Sequence, residues 1–271
     1  MTETASITAP GPRATARALF GGRYLPVVLP LLVLVGLWQL ASFFVPPYIA
    51  PPVPAVLSRV FTIITSWNLL AEVLATVART LAGLAGAFVL SGVLAAWMGR
   101  SAMMARAISP VLTLLQGVPA LSWVVFAVIW FKGTEFRIFF IMVITTLPAF
   151  TFQLLDAYRG ISRDLAEMVI SFRPRRMQML RVLIFPSVLP DILTAWKINL
   201  GNASRVVVVA ELVGATGGVG YELMQQQQLF DMTGAIAWTL QLVLFVLLMQ
   251  WLLSAIEAAA LGYRAVSERA L

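Results

Sequence analysis

Long apolar runs without charge alternate along this chain with shorter segments in which most of the arginines lie. A helix needs about 20 apolar residues to cross the hydrocarbon core of a bilayer. The pattern therefore predicts an all-α, polytopic membrane protein. The predicted spans cover residues 26–45, 73–98, 107–131, 136–156, 186–210 and 232–257.

The span 186–210 is the weakest of the set because it contains Asp191, Lys197 and Arg205. The distribution of the arginines decides in its favour. They concentrate before the first span, between the second and third, after the fourth and after the last. Basic residues favour the cytoplasmic side, so both termini and the loop 157–185 are predicted to be cytoplasmic. Termini on one side require an even number of spans, and we expect six of them in a bacterial inner membrane.

The composition excludes several classes of function. The 271 residues are 60% hydrophobic and 11% charged, with a mean hydropathy of +0.90, whereas soluble domains carry about 25% charged residues. The sequence contains no cysteine and no histidine, which removes disulfides, thiolate nucleophiles and histidine-based catalysis. It contains no Gly-Lys pair, and hence no phosphate-binding loop of the nucleotide type. We therefore expect neither enzymatic activity nor a cofactor. The net charge is +7, but the basic residues lie beside the apolar spans, so their positions do not require a nucleic-acid partner.

The ends of the chain are expected to lie outside a transmembrane domain that covers residues 23–264. Residues 1–22 read as a flexible cytoplasmic tail, and residues 265–271 as a short cytoplasmic C-terminal tail. The first apolar run is longer than the core of a signal peptide and is followed by prolines, so we expect an uncleaved helix. After these prolines, Val53–Thr65 is predicted to form a short surface helix.

Small residues recur at every fourth position through the second span and the segment before it. Residues four apart share one helix face, and small ones allow two helices to approach closely. We expect this face to pack within the subunit, with a subunit interface as the alternative. Arg79 occupies one slot of the series and is expected to reach the outer headgroups or a carboxylate such as Glu72. The small residues are Ala71, Ala75, Gly83, Ala87, Ser91, Ala95 and Gly99.

Prolines interrupt the third and fourth spans, at Pro110, Pro119 and Pro148. Proline removes a backbone donor, so each helix is predicted to bend or unwind there. Irregular backbone at membrane depth lines a wet cavity or is covered by protein, so the breaks indicate either a pathway or kinked structural helices. Polar side chains near them, together with those of the fifth span, are candidates for lining an anion pathway, and pairing inside the bundle is the equal alternative. These candidates are Gln116, Thr145, Thr146, Lys197, Asn199, Asn202 and Arg205.

The loop after the fourth span reads as two short helices joined by a turn at Arg173-Pro174, the second ending before Pro186. Apolar residues are interleaved with basic ones throughout the loop. A fully solvated helix would not need so many apolar residues. The pattern is typical of a helix that lies on a membrane surface or docks in a groove of another protein.

This loop resembles that of permease subunits in binding-protein-dependent ABC importers. Their pattern is E-A-A, three residues, G, nine residues, I, one residue and L-P. Here Glu167 matches the E, Leu183 stands at the I position and Pro186 matches the P. Arg173 replaces the glycine, and the two alanines and the leucine of the pattern are replaced by Met168, Val169 and Phe185.

Other segments resemble the nitrate, taurine and aliphatic-sulfonate branch of the same family. They are Ser109–Trp123 with Val128–Gly133 in the third-helix region, Leu189–Ala203 in the fifth helix, Val209–Tyr221 after it, and the proline-rich segment Pro46–Leu57. The pieces occur in the family's order, and the resemblance covers about residues 26–264. It implies the MetI-like fold of type I importer permeases.

The resemblance further implies a homodimer of six-helix subunits, a solute-binding protein on the outside and cytoplasmic ATPase subunits that each receive the loop. Glu167 is then a contact that couples ATP hydrolysis to transport, and position and charge add Ser171, Arg173, Arg175 and Arg176 as candidates. For the arginines, contact with anionic membrane lipid is the alternative. The branch and the basic pathway candidates favour a small anion such as a sulfonate, taurine or nitrate.

Two other classes of membrane protein fit the sequence less well than the permease. A self-sufficient secondary transporter or channel would need an internal repeat or a membrane-buried acidic relay, and the sequence shows neither. A membrane-embedded enzyme lacks the residues for chemistry. Co-purification with an ATPase and ATP-dependent uptake would distinguish the three.

Overall fold

The computed structural model describes residues 25–260, and the predictions for the tails 1–22 and 265–271 lie outside them. Within these residues the ordered elements are helices. A five-residue π-helical segment, Leu180–Ile184, lies between the short helix that ends at Met179 and the long one that begins at Phe185. The helices are α1 (Leu25–Ala41), α2 (Val53–Thr65), α3 (Trp67–Arg100), α4 (Ala102–Gly117), α5 (Ala120–Trp130), α6 (Thr134–Arg159), α7 (Arg163–Ser171), α8 (Arg176–Met179), α9 (Phe185–Gly214), α10 (Val219–Gln228) and α11 (Met232–Ala260).

Four of the described helical segments are long and apolar enough to cross a membrane: α3, α6, the continuous run Met177–Gly214 and α11. The pair α4 and α5 qualifies as a fifth only when taken together, and it is bent by 94°. The 17 described residues of α1 fall short of the roughly 20 that a span needs. By length and composition, the described residues therefore contain four or five of the six predicted spans.

The predicted span 107–131 is not one helix. The first helix ends at Gly117 and the next begins at Ala120, with Pro119 at its N-cap. A break there was predicted, because proline cannot donate to the preceding turn. Helix α6, by contrast, continues through Pro148 without unwinding.

The small residues of α3 pack against α6, which confirms the prediction of packing within the subunit. Gly83 lies against Met142 and Gly86 against Phe139, so closely that a Cβ atom at either glycine would overlap these side chains. The Ser91 hydroxyl donates to the Leu147 carbonyl at 2.9 Å. Helix α9 packs against both α6 and α3, and the rings of Phe88, Phe150 and Trp196 meet between the three helices at centroid distances of 5.4–5.8 Å.

The second helix of the loop does not end before Pro186, which corrects the sequence prediction. Helix α8, the π-helical segment and α9 form one uninterrupted run, with Pro186 in the first turn of α9. Proline is tolerated in a first helical turn, and the wider π-helical turn before it gives the proline ring more room. The surface helix predicted at Val53–Thr65 is confirmed with those bounds.

Candidate functional site

One face of α9 is polar although the helix belongs to a run that can cross a membrane. Its exposed positions recur at intervals of three and four residues, which places them on one stripe. The opposite face is buried in the core and includes Ala195, Leu200 and Ala203. Charged groups facing lipid cost several kcal/mol, so this stripe requires water or a protein partner. Its members are Asp191, Thr194, Ile198, Asn202 and Arg205.

A groove of about 510 Å³ lies between α9 and α11 beside this stripe. Lys197, Asn202 and Arg205 line it from α9, and Gln250 and Ser254 line it from α11. The structure therefore brings together three of the predicted pathway residues. We call this feature the α9–α11 groove.

The two cations of the α9–α11 groove differ in their pairing. The Lys197 ammonium donates to the Glu257 carboxylate of α11 at 2.5 Å. Arg205 has no ion pair or hydrogen bond to the residues between 25 and 260. The groove thus retains one uncompensated positive charge, with side-chain amides and a hydroxyl nearby, and this combination suits an anion.

The remaining predicted pathway residues have other surroundings. Asn199 is buried, and its amide donates to Gln153 of α6 at 2.6 Å. Thr146 and Thr145 donate to carbonyls one turn earlier in α6, at 2.6 and 2.7 Å. Gln116 is exposed at the end of α4, away from the groove. In this structure the polar groups of Asn199 and both threonines are satisfied by hydrogen bonds within the bundle, and none of these four residues lines the α9–α11 groove.

The α6–α9 loop, residues 160–184, exposes a large apolar surface. Leu165, Met168 and Ile170 of α7 are each about half exposed, and Phe172 is 80% exposed. Glu167 lies exposed on the same helix, as does Ser171, whose hydroxyl donates to the Met168 carbonyl at 2.7 Å. Exposed apolar surface of this kind is typical of an interaction site.

Arg173 makes the turn between the two loop helices. Its φ is +48°, in the left-handed region, and its N–H donates to the Ile170 carbonyl at 2.8 Å to close α7. Arg175 is exposed, and its N–H donates to the Gln178 side chain. Arg176 begins α8. Glycine favours the left-handed region, so the family's preference for glycine at this position has a conformational reason.

At the opposite end of the bundle, Arg79 joins three helices. It donates to the buried Glu211 of α9 at 2.8 Å, and to both oxygens of Glu135 of α6 at 2.6 and 3.0 Å. It also donates to the Gly217 carbonyl at 2.8 Å. Of the two alternatives predicted for Arg79, contact with a carboxylate is confirmed, but the partners are Glu211 and Glu135 and not the suggested Glu72. Both partners are distant from Arg79 in sequence.

The glycine loop between α9 and α10, residues 215–218, is held by side chains. The N–H of Gly218, which has a φ of +107°, donates to Glu72. The N–H groups of Val219 and Gly220 donate to Thr76 and Glu211 at 2.8 and 2.9 Å. The N-terminus of α10 is thus already occupied by carboxylates and a hydroxyl and is no anion site.

Glu211 was missed from the sequence. The feature that could have identified Glu211 is its position as a carboxylate at the end of an apolar helix, next to a glycine-rich segment. A charge in that position requires a cation, and Arg79, at the edge of another span, was already expected to reach a carboxylate.

A comparison with protein families identifies the class of protein. The family model described as "Binding-protein-dependent transport system inner membrane component" matches residues 88–261. The chain belongs to this family. It is a multi-pass inner-membrane permease component of an ABC transporter and is not itself catalytic, and its family implies ATPase and solute-binding-protein partners.

Individual relatives share the fold but differ in what their names say they carry. The taurine transport permease TauC of Escherichia coli is 28% identical, over 68% of this chain and 69% of TauC. The riboflavin transport permease RibX of Chloroflexus aurantiacus is 26% identical, over 85% of this chain and 87% of RibX. Among solved structures, a chain of the MetNI methionine ABC transporter in an inward-facing conformation aligns with a TM-score of 0.63 and 21% identity, over 72% of this chain and 96% of that chain. This alignment shows a MetI-like fold.

Proposed function

We propose that two copies of this chain form the membrane pathway of an ATP-driven importer for a small anion. The observation that carries the proposal is the α9–α11 groove, in which Arg205, on the polar stripe of α9, has no ion-pair partner among residues 25–260. A second copy facing this stripe would remove it from lipid and enclose a polar path between the subunits.

In the proposed topology, α1 and the bent pair α4–α5 complete a set of six spans. Arg100 at the end of α3 lines a hollow together with Arg173 of the α6–α9 loop, and Arg159 lies at the end of α6 where this loop begins. Arginines therefore gather at one end of the bundle. The positive-inside rule supports a cytoplasmic position for this end, and hence for both termini.

The proposed substrate is a sulfonate, taurine or nitrate-like anion. The charge of the α9–α11 groove supports an anion, and the similarity to the taurine permease agrees with it. The similarity to a riboflavin permease is of the same order, so the groove and not the relatives carries the proposal.

The α6–α9 loop is the proposed contact with the ATPase. Its exposed apolar residues would enter a groove of that subunit. The proposed coupling residues are Glu167, Ser171, Arg173, Arg175 and Arg176. The uninterrupted run from α8 through the π-helical segment into α9 connects the loop to the helix that bears the polar stripe. Movement of the loop would therefore tilt α9, which gives rigid-body alternating access.

Uptake of labelled taurine, an alkylsulfonate and nitrate by proteoliposomes containing the assembled importer tests this proposal. We expect ATP-dependent uptake of at least one anion, and a loss of about tenfold on Arg205→Gln, the value of one charged hydrogen bond. Arg205→Lys should retain part of the uptake. The exposed Arg106, changed to Gln, is the matched control.

Two results would contradict the proposal. Unchanged uptake by Arg205→Gln would remove the anion role of the groove. Uptake by the chain alone without ATP would favour a secondary transporter.

A further inference from the structure

Two connected hollows lie between the membrane helices and the α6–α9 loop. They share three lining residues, Arg100, Leu180 and Ile184. The outer hollow measures about 650 Å³ and opens beside Arg173. The inner hollow measures about 310 Å³ and is formed by α3, α6, the π-helical segment and the start of α9. We call the two together the loop cleft.

The inner part of the loop cleft is a shaft with apolar walls. Phe88 and Ala95 of α3, Leu154 of α6 and Ile192 of α9 contribute to it. Gly92 also lines the shaft, and a Cβ atom at this position would meet no other atom within 4 Å. The eight residues from Gly92 to Arg100 correspond to about 12 Å along the helix. The shaft thus extends about 12 Å along α3, from the level of Arg100 to beyond Gly92.

The mouth of the loop cleft is positively charged. Arg100 and Arg173 line it, and none of the described residues that line either hollow is acidic. Arg100 donates one N–H to the carbonyl of Ala96 in its own helix at 3.1 Å. Its remaining guanidinium donors and all those of the Arg173 guanidinium have no partner among residues 25–260. Two guanidinium groups at one opening can bind a phosphate through several charge-assisted hydrogen bonds.

We propose that the loop cleft binds an anionic glycerophospholipid, with its phosphate at Arg100 and Arg173 and one acyl chain in the shaft beside Gly92. A free anion would leave the apolar shaft unused. A lipid without net charge, such as phosphatidylcholine, carries a phosphate but also a quaternary ammonium, so it would leave the positive charge of Arg100 and Arg173 uncompensated. The inference rests on the proposed orientation, which places the cleft in the cytoplasmic leaflet, where anionic lipids supply a negative surface.

The bound lipid would contact the loop and the membrane helices at once. Leu180 and Ile184 belong to the π-helical segment that connects the loop to α9 and form a wall of both hollows. Such segments occur frequently at functional sites. An acyl chain against this wall would support the loop in the position seen here.

Native mass spectrometry of the purified full-length chain tests the site with two lipids that share their acyl chains, dioleoylphosphatidylglycerol and dioleoylphosphatidylcholine. We expect the wild-type chain to bind the phosphatidylglycerol about tenfold more tightly. Arg100→Gln combined with Arg173→Gln should reduce this preference to about twofold or less. Gly92→Leu should fill the shaft and weaken both lipids. Gly36→Leu, which also enters open space but on α1, is the matched control and should leave both unchanged.

Both the arginine variants and the Gly92 variant can contradict the proposal. An unchanged preference in the double arginine variant would do so, as would unchanged binding by a folded Gly92→Leu variant. Should Gly92→Leu not fold, the smaller Gly92→Ala and the arginine pair decide. Displacement of the phosphatidylglycerol by millimolar inorganic phosphate would show that a free anion suffices, whereas we expect none. The lipid measurement needs neither the ATPase nor a transported solute. A negative result for lipid binding would therefore leave the transport proposal standing, and a negative result for anion uptake would leave the lipid proposal standing.

Discussion

The Arg79 guanidinium lies 2.8 Å from the carboxylate of Glu211, 132 positions away in the sequence. Glu211 is buried and also accepts hydrogen bonds from the Thr76 hydroxyl and the Gly220 N–H. The pair therefore ties α3 to α9 and to the first turn of α10. A buried carboxylate that loses its cation is strongly destabilised, by about 3–5 kcal/mol.

We expect Arg79→Met to lower the thermal stability of the full-length protein sharply, since it leaves Glu211 buried and charged. The double variant Arg79→Met with Glu211→Gln should be more stable than Arg79→Met alone. Melting the two single variants and the double variant in detergent gives the coupling free energy between Arg79 and Glu211. Arg106, which is exposed and bonds the Ala102 carbonyl of its own helix at 3.3 Å, serves as the control when changed to Met. Equal melting temperatures for the Arg79 and Arg106 variants would contradict the role of this pair.

The sequence predicted features that depend on neighbouring residues. Spacing along α9 was enough to suggest that Lys197, Asn202 and Arg205 act together, and they share the α9–α11 groove. Of the three prolines at which a bend or break was predicted, Pro119 stands at a helix break, whereas Pro110 and Pro148 lie inside continuous helices. The small-residue spacing of α3 predicted packing within the subunit but not that α6 is the partner.

Pairings between distant segments could not be read in the same way. Glu257 as the partner of Lys197, and Glu211 as the partner of Arg79, depend on which helices become neighbours. Periodicity along one helix carries no information on this. The passage of the helix through Pro186 was also unpredictable, because it depends on the π-helical turn that precedes it.

Arg173→Gly should stabilise the α6–α9 loop. The left-handed conformation costs a residue with a Cβ atom about 1–2 kcal/mol, and Arg173 adopts it with a φ of +48°. Hydrogen exchange of the amides near the end of α7 should therefore slow several-fold in the glycine variant. Arg173→Ala removes the charge but keeps the Cβ atom, so it should give no such protection. Equal protection in both variants would assign the effect to the charge.

The carboxyl of Glu222 lies on α10, outside the membrane-spanning segments, and its ionisation at higher pH lowers the stability of the folded state. Burial raises its pKa, and the nearby Glu72 carboxylate adds to the rise, against the opposing effects of Arg59 and a hydrogen bond with Gln226. A carboxyl with a raised pKa in the folded state binds protons more tightly there than in the unfolded state. The stability that the protonated carboxyl contributes is therefore lost as the pH rises from the pKa of the unfolded state through the pKa of the folded state.

Glu222→Gln should consequently raise the melting temperature at pH 7 to 8. The difference from wild type should shrink as the pH falls and vanish below the ordinary value of 4.5, where both states of the wild-type carboxyl are protonated. Melting curves of the full-length protein between pH 4 and pH 8 measure this, with the lowest pH as the internal reference. A difference that is constant with pH would show that packing, and not ionisation, is responsible.

Glu167→Ala should separate ATP hydrolysis from transport in the assembled importer. Glu167 is exposed on α7 beside Met168 and Ile170, on the apolar surface that we assign to the ATPase contact. Loss of a central interface contact commonly costs a factor of ten or more in affinity, about 2 kcal/mol. We expect solute transported per ATP hydrolysed to fall by about tenfold, while the chain remains folded and inserted. Asp164→Ala, an exposed change in the first turn of the same helix, is the matched control and should leave the ratio near that of wild type. Normal coupling in the Glu167 variant would mean that the loop contacts the ATPase through a different residue or does not contact it at all, and cross-linking from position 168 would then distinguish these two cases.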